Sequence, residues 1–137
     1  MRGWIFGLLF AFLPVAQAGA GQAKAEIFYV PWTVLSTVSM KPEDVRKNPT
    51  AFVRINGEAE VAAFSSGLPS VESASAELQA ANDIRLVIDV YDDKGGRSSY
   101  IADYYRFSTE DGRKTVAIDS KFRDNLASFL SKSSLKK

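Results

Sequence analysis

Arg85, Asp89, Tyr91 and Asp103 stand inside IRLVIDVYDDKGGRSSYIADYYRF, residues 84–107, a run that otherwise reads as half-buried strand. Two carboxylates about 5–10 Å apart are the minimum equipment of a glycosidase, one as acid and one as base or nucleophile. Arginine and tyrosine are instead the types that protein interfaces favour. Placing a turn at residues 92–96 sets Tyr91 opposite Arg97, Asp89 opposite Ser99, Val87 opposite Ile101 and Arg85 opposite Asp103. One face then carries Arg85, Asp89, Tyr91 and Asp103 around the Val87–Ile101 pair. The other carries Ile84, Leu86, Ile88 and Val90 with Tyr100, Ala102 and Tyr104, and a one-residue slip would scramble this assignment. On this register Arg85 and Asp103 are either a cross-strand ion pair, worth roughly 0.2–1 kcal/mol, or part of a polar constellation for a ligand or partner protein.

Other chemistry is excluded by composition. The chain has no histidine and no cysteine. It therefore offers no Ser-His-Asp triad, no thiol nucleophile, no imidazole or thiolate zinc site and no haem held by either residue. Neither Gly-x-Gly-x-x-Gly nor Gly-x-x-x-x-Gly-Lys occurs, so no nucleotide-phosphate cradle is expected. Asp92-Asp93-Lys94-Gly95-Gly96 departs from a calcium loop at the third and fifth positions, where Lys94 and Gly96 replace oxygen ligands. No metal and no cofactor are expected.

The strands that position these residues follow from period and punctuation. Residues 84–91 alternate apolar and polar, residues 98–107 return, a turn falls at 109–112, and residues 114–118 form a third strand. Asp119 or Ser120 then caps a terminal helix whose Phe122, Leu126, Phe129 and Leu130 fall on one side. Upstream, residues 26–40 read as one long strand or two short ones broken at Pro31, and a short helix begins at Pro42 and stops before Asn48-Pro49. Residues 51–55 form a strand, and a helix from Glu58 to Ser66, capped by Asn56, ends at Gly67. Residues 70–82 are ambiguous between helix and loose connection. The fold class is α+β, an antiparallel sheet with a C-terminal three-strand meander packed against a C-terminal helix and one or two shorter helices.

The ends place the protein in a compartment. MRGWIFGLLFAFLPVAQAGA has the charged, apolar and small-residue parts of a secretory signal, residues 1–18, with cleavage after Ala18 or alternatively after Ala20. Residues 19–25 read as a disordered mature N-terminus, 26–131 as a single α+β domain and 132–137 as a frayed lysine-rich tail. An absence of cysteine in an exported domain of this size points to a bacterial periplasm or secreted fraction. The chain holds 17 basic and 16 acidic residues; removal of Arg2 with the signal leaves them balanced and interspersed. That distribution lacks the positive footprint of nucleic-acid binding, and no segment after the signal reads as membrane-spanning.

These observations lead to a non-enzymatic, exported bacterial binding module acting through protein–protein contact. Its concrete forms are a periplasmic toxin-immunity protein or an inhibitor of a cell-wall enzyme, with Arg85, Asp89, Tyr91 and Asp103 as the binding face. The alternative is a carrier or sensor of a sugar, lipid or peptide, in a tyrosine-lined cavity between sheet and terminal helix. A carboxylate hydrolase comes third, and it requires a carboxyl pKa raised by burial.

Overall fold

The computed structural model describes residues 22–135. The signal segment, its two cleavage positions and residues 19–21, 136 and 137 lie outside the described residues. The strands are β1 (Lys24–Tyr29), β2 (Ala51–Asn56), β3 (Glu72–Ser73), β4 (Leu86–Tyr91), β5 (Arg97–Ala102), β6 (Arg106–Thr109) and β7 (Lys114–Ala117). The helices are α1 (Pro42–Lys47), α2 (Glu58–Ser66) and α3 (Ser120–Leu135). All strand pairs are antiparallel, in one sheet of order β2-β1-β4-β5-β6-β7-β3. This is an α+β arrangement with a C-terminal helix and short helices, as the sequence predicts.

Period explains which face each strand turns to which layer. β1 alternates, burying Ala25, Ile27 and Tyr29. In β4 the four residues Leu86, Val87, Ile88 and Asp89 are all buried, because helices and loops cover the sheet on both sides. Ile27, Tyr29, Val53, Leu86, Ile88, Ala102 and Phe107 pack with Leu126 and Leu130 of α3, and Phe64 of α2 joins the rim. On the opposite face Val87 and Ile101 pack with Val45 of α1 and with Val30, Ala81 and Ile84. Each such large apolar side chain contributes roughly 1.5–3 kcal/mol on burial. Asp119 Oδ1 accepts the Phe122 N–H at 3.0 Å and so caps the start of α3.

Several local expectations are corrected. Lys24 and Ala25 belong to β1, not to a disordered N-terminus, since both are paired on one side with β2 and on the other with β4. The chain from Pro31 to Met40 is loop rather than strand, and Met40 returns by donating its N–H to Asp83 Oδ1 at 2.9 Å. α2 is capped by Gly57, at φ 103°, rather than by the Asn56 side chain. Residues 70–82 contain no helix; hydroxyls tie them down, Ser108 Oγ accepting from Ala81 N at 2.9 Å and Thr115 Oγ1 donating to Gln79 O at 3.2 Å. The expected strand at 98–107 is two strands, β5 and β6, folded back at Asp103. Its Oδ1 accepts the N–H groups of Tyr105 and Arg106 at 2.8 and 2.7 Å, a side-chain mimic of a backbone turn. The meander therefore has four strands. The expected frayed tail is helical as far as Leu135.

Candidate functional site

β4 pairs with β5 as Val87↔Ile101, Asp89↔Ser99 and Tyr91↔Arg97. From Leu86 to Tyr91 this is the predicted register, and it puts Asp89 and Tyr91 on the face of Val87. At Arg85 it breaks, the Arg85 N–H donating to Ala102 O at 2.8 Å, and Ile84, expected on the Leu86 face, packs instead with Val87 and Ile101. The four residues fall into three separate places.

Asp89, only 2% exposed, lies mid-sheet. Arg46 reaches it from α1, with Nε 3.1 Å from Oδ2 and Nη2 2.8 Å from Oδ1. The same guanidinium holds Glu110 at 3.1 and 2.8 Å, and Ser99 Oγ donates to Asp89 Oδ1 at 2.6 Å. Burial pushes the Asp89 carboxyl up, but the hydrogen bonds from Arg46 and Ser99 and the Arg46 charge outweigh it, so the group sits below its usual range. The Arg46 hydrogen bond likewise lowers Glu110 against the effect of burial. A general acid needs the opposite shift. The arrangement clasps α1 to the sheet.

Tyr91 lies at the end of β4 remote from Arg85, with Lys24 Nζ 4.8 Å from its ring centre. Lys24 also pairs with Glu26 at 3.8 Å, and Arg54 pairs with Glu26 at 2.8 Å. These groups join β1 to the edge strand β2 and leave Tyr91 at their margin.

Arg85 and Asp103 lie at the other end, just beyond the Leu86–Ala102 pair, and the expected cross-strand ion pair between them does not form: each takes its ion pair elsewhere. Arg85 Nη1 bonds Asp83 Oδ1 at 2.8 Å and Ile84 O at 3.2 Å, and Nη2 bonds Val34 O at 2.9 Å. Asp103 Oδ2 accepts from Arg106 Nη2 at 2.8 Å, from Arg106 Nε at 3.2 Å and from Asn82 N at 3.1 Å. Both side chains are buried, at 5% and 4% exposure. They line a cavity of about 170 Å³ together with Trp32, Asp83, Tyr104, Tyr105 and Arg106. Arg85 Nε and Trp32 Nε1 are buried donors with no acceptor within the protein. A buried donor left unmade costs roughly 1–3 kcal/mol, so this is where the molecule carries a local penalty.

Sequence reasoning found Arg85 and Asp103 but missed Trp32, Asp83 and Arg46. Asp83 and Arg85, two residues apart on a strand approach, could have been read as a same-side pair. Nothing local marks Arg46 or Trp32, which are brought in by the packing of α1 and by the loop after Tyr29. The two largest of the other hollows hold no part of this cluster. One of about 770 Å³ lies between β2, α2 and α3, walled by Val53, Ile55, Phe64 and Phe129. Another, of about 530 Å³, is lined by Leu68, Val71, Val90 and Tyr100 with several serines. Among the described residues no group of acidic side chains is arranged to hold a metal, and no helix is long and apolar enough to cross a membrane. The chain matches no family model, no curated protein and no solved structure.

Proposed function

We propose that the protein is a binding module that works by contact with another protein, exported from a bacterial cell and acting in the periplasm or beyond it. A toxin-immunity protein and an inhibitor of a cell-wall enzyme are its concrete forms. The observation that carries the reading is the position of the exposed apolar surface. Among the described residues the exposed large hydrophobics are Val34, Leu35, Val38, Tyr104 and Tyr105, with Leu35 at 94%, Val38 at 71% and Tyr105 at 67%. They lie on two loops, 30–41 and 103–105. Both loops leave the same end of the sheet, because Tyr29 pairs with Leu86 and Leu86 with Ala102. Apolar surface gathered at one place marks an interaction site, whereas single scattered residues do not.

The loops are also fixed in place. Arg85 holds Val34 O, Asp83 holds Met40 N, and Asp103 holds the Tyr105 and Arg106 amides. A surface ordered beforehand loses little entropy when a partner arrives. Arg123 stands 3.8 Å over the Tyr104 ring and Arg106 flanks the turn, adding the Arg–Tyr composition of interfaces. Asp89 and Glu110, held ionised by Arg46, favour contact over acid catalysis. Export rests on the signal-like first residues alone.

The test is capture from exported fractions of the producing organism and its neighbours, identification of the captured protein, and calorimetric titration of that protein. The expected result is stoichiometric binding that Leu35→Ser with Tyr105→Ser weakens about 100-fold or more, with the unfolding midpoint unchanged. An identified partner that binds the double variant as tightly as the parent would sink the reading. A second reading, a carrier of a small apolar molecule, is favoured by the hollow of about 770 Å³ walled by Phe64 and Phe129, a size typical of ligand pockets. Native mass spectrometry of the purified protein separates the two, since a carrier brings its cargo with it.

A further inference from the structure

The sheet has two edges, and only one of them is blunted. β3, at one edge, is two residues long, and Glu72 and Ser73 are both exposed. β2, at the other, runs six residues in unbroken register with β1 and carries no proline. Short strands, prolines, bulges and unpaired charges are the devices that keep an edge from pairing. β2 has one charge, Arg54, and Glu26 neutralises it at 2.8 Å. Which of its main-chain groups are open follows from the ladder. Gly57 donates its N–H to Ala23 O at 3.0 Å. Bonded and unbonded pairs alternate along an antiparallel ladder, so Val53 and Ile55 bond to β1, while Arg54 and Asn56 turn their N–H and C=O away from it. Among the described residues no strand lies on that side. The hollow of about 770 Å³ opens along the same edge, where Arg54 and Asn56 border it. Apart from Glu60 and Ser133 its walls are apolar, with the Phe64 and Phe129 rings 5.8 Å apart.

We infer that β2 is a second interaction surface, apart from the docking end, and that it takes an extended segment of another protein as an added strand. Strand addition joins main-chain bonds, which hold any extended chain, to pockets that choose its alternate side chains. Both parts are present at β2. Val53 and Ile55 face the helices, and Arg54 faces the other way with Glu26. A strand laid beside β2 therefore points every second side chain into the hollow, and these are large and apolar to match Phe64 and Phe129. Its remaining side chains pass Arg54 and Lys24, two cations that share the one carboxylate of Glu26. An acidic residue belongs there. A second copy of this chain fits less well. Its Val53, 6% exposed, is held in its own core and cannot enter a neighbour's hollow. A two-fold pairing about residue 54 would also set Arg54 against its own copy, like charge opposite like.

The probe is a short capped peptide that alternates leucine with threonine, one threonine replaced by glutamate, titrated into ¹⁵N-labelled protein. Hydrogen exchange is read at the Arg54 and Asn56 amides, which are open, and at the Ile55 amide, which β1 already holds. The expected result is saturable binding that slows Arg54 and Asn56 about tenfold or more, and Ile55 less. Two copies of the peptide, N-methylated at odd or at even positions, are then compared. Only one set of N–H groups faces β2, so one copy binds about tenfold or more weakly than the other. Arg54→Pro removes an N–H that β1 does not use. It is expected to weaken the unmethylated peptide about three- to tenfold, with the unfolding midpoint unchanged. If Arg54→Pro lowers that midpoint, the methylated copies decide instead. Equal binding by the two copies would mean that side chains alone hold the peptide, and no binding of the unmethylated peptide would mean a closed edge. Lauric acid bound where the peptide is not would make the hollow a carrier's pocket. Slowing of Arg54 and Asn56 by higher protein concentration alone would make the occupant a second copy. Loss of the peptide in Leu35→Ser with Tyr105→Ser would place it at the docking end. Each of these overturns the inference. The docking reading depends on the titration of its own captured partner, so the two fail separately.

Discussion

Asp103 accepts five hydrogen bonds through two oxygens, from Asn82 N, Tyr105 N, Arg106 N and two guanidinium nitrogens of Arg106. Its removal strands part-buried amides and a guanidinium together. Asp103→Ala is expected to cost about 2–4 kcal/mol, while Asp103→Asn, which keeps one oxygen for the turn amides, costs roughly half as much; urea denaturation measures both. Asp89 and Glu110 make a different demand on the solvent. Their folded pKa values lie below the ordinary 3.8 and 4.5, so the stability they contribute is complete above those values. It is lost as pH falls through the lower, folded values. Acid titration of the unfolding free energy is expected to show this loss below about pH 4.5, and Arg46→Met to flatten most of it, because the guanidinium supplies the main lowering interactions of both carboxyls and leaves only the Ser99 hydrogen bond and the Arg97 charge. A slope unchanged in Arg46→Met would refute the assignment.

Elements differ in how openly the sequence declares them. Residues 58–66 are legible as helix because Asn56-Gly57 and Gly67 punctuate both ends, although the start depends on Gly57 rather than on Asn56. Gly57 sits at φ 103°, and a Cβ there would collide with the Glu60 carboxylate, so Gly57→Ala is expected to destabilise by about 1–3 kcal/mol in denaturant titration. α3 is legible through its apolar spacing. Leu130, 2% exposed, is expected to cost about 2–5 kcal/mol as Leu130→Ala. The run 98–107 misleads because Tyr104 and Tyr105 have strand-like side chains, while the turn beneath them is set by the Asp103 carboxylate. Residues 33–40 mislead in the same way. β-Branched types suggest a ladder, yet the loop is fastened by Asp83 and Arg85, far along the chain. The hairpin register was legible from Leu86 to Tyr91, and with it the faces there, but Ile84 packs with Val87 and Ile101 rather than beside Leu86. The partners of Arg85 and Asp103 were not legible, since a cross-strand neighbour on a half-buried face competes with every loop that folds over it.

At the scale of the molecule the sheet has two halves, β1 with β2 and the meander β4 to β7, joined where Tyr29 pairs with Leu86. Several side chains cross that join, among them Arg46 to Asp89 and Glu110, Arg85 to Val34 and Asp83 to Met40. The join is the longest-range pairing in the sheet and so the costliest in chain entropy to close. Native-state hydrogen exchange is expected to be faster at Val30 N, which bonds Arg85 O across the join, in Arg46→Met than in the parent. Arg85 N, bonded to Ala102 O within the meander, is expected to change less. Equal acceleration at both amides would mean that the halves do not part separately.

The two exposed loops come one from each half, Leu35 following β1 and Tyr105 following β5. A protein seated on both is a rivet through the joint. The sheet cannot come apart along β1 and β4 until that protein lets go, so occupancy lengthens the lifetime of the folded chain among proteases in proportion to how rarely the seat is empty.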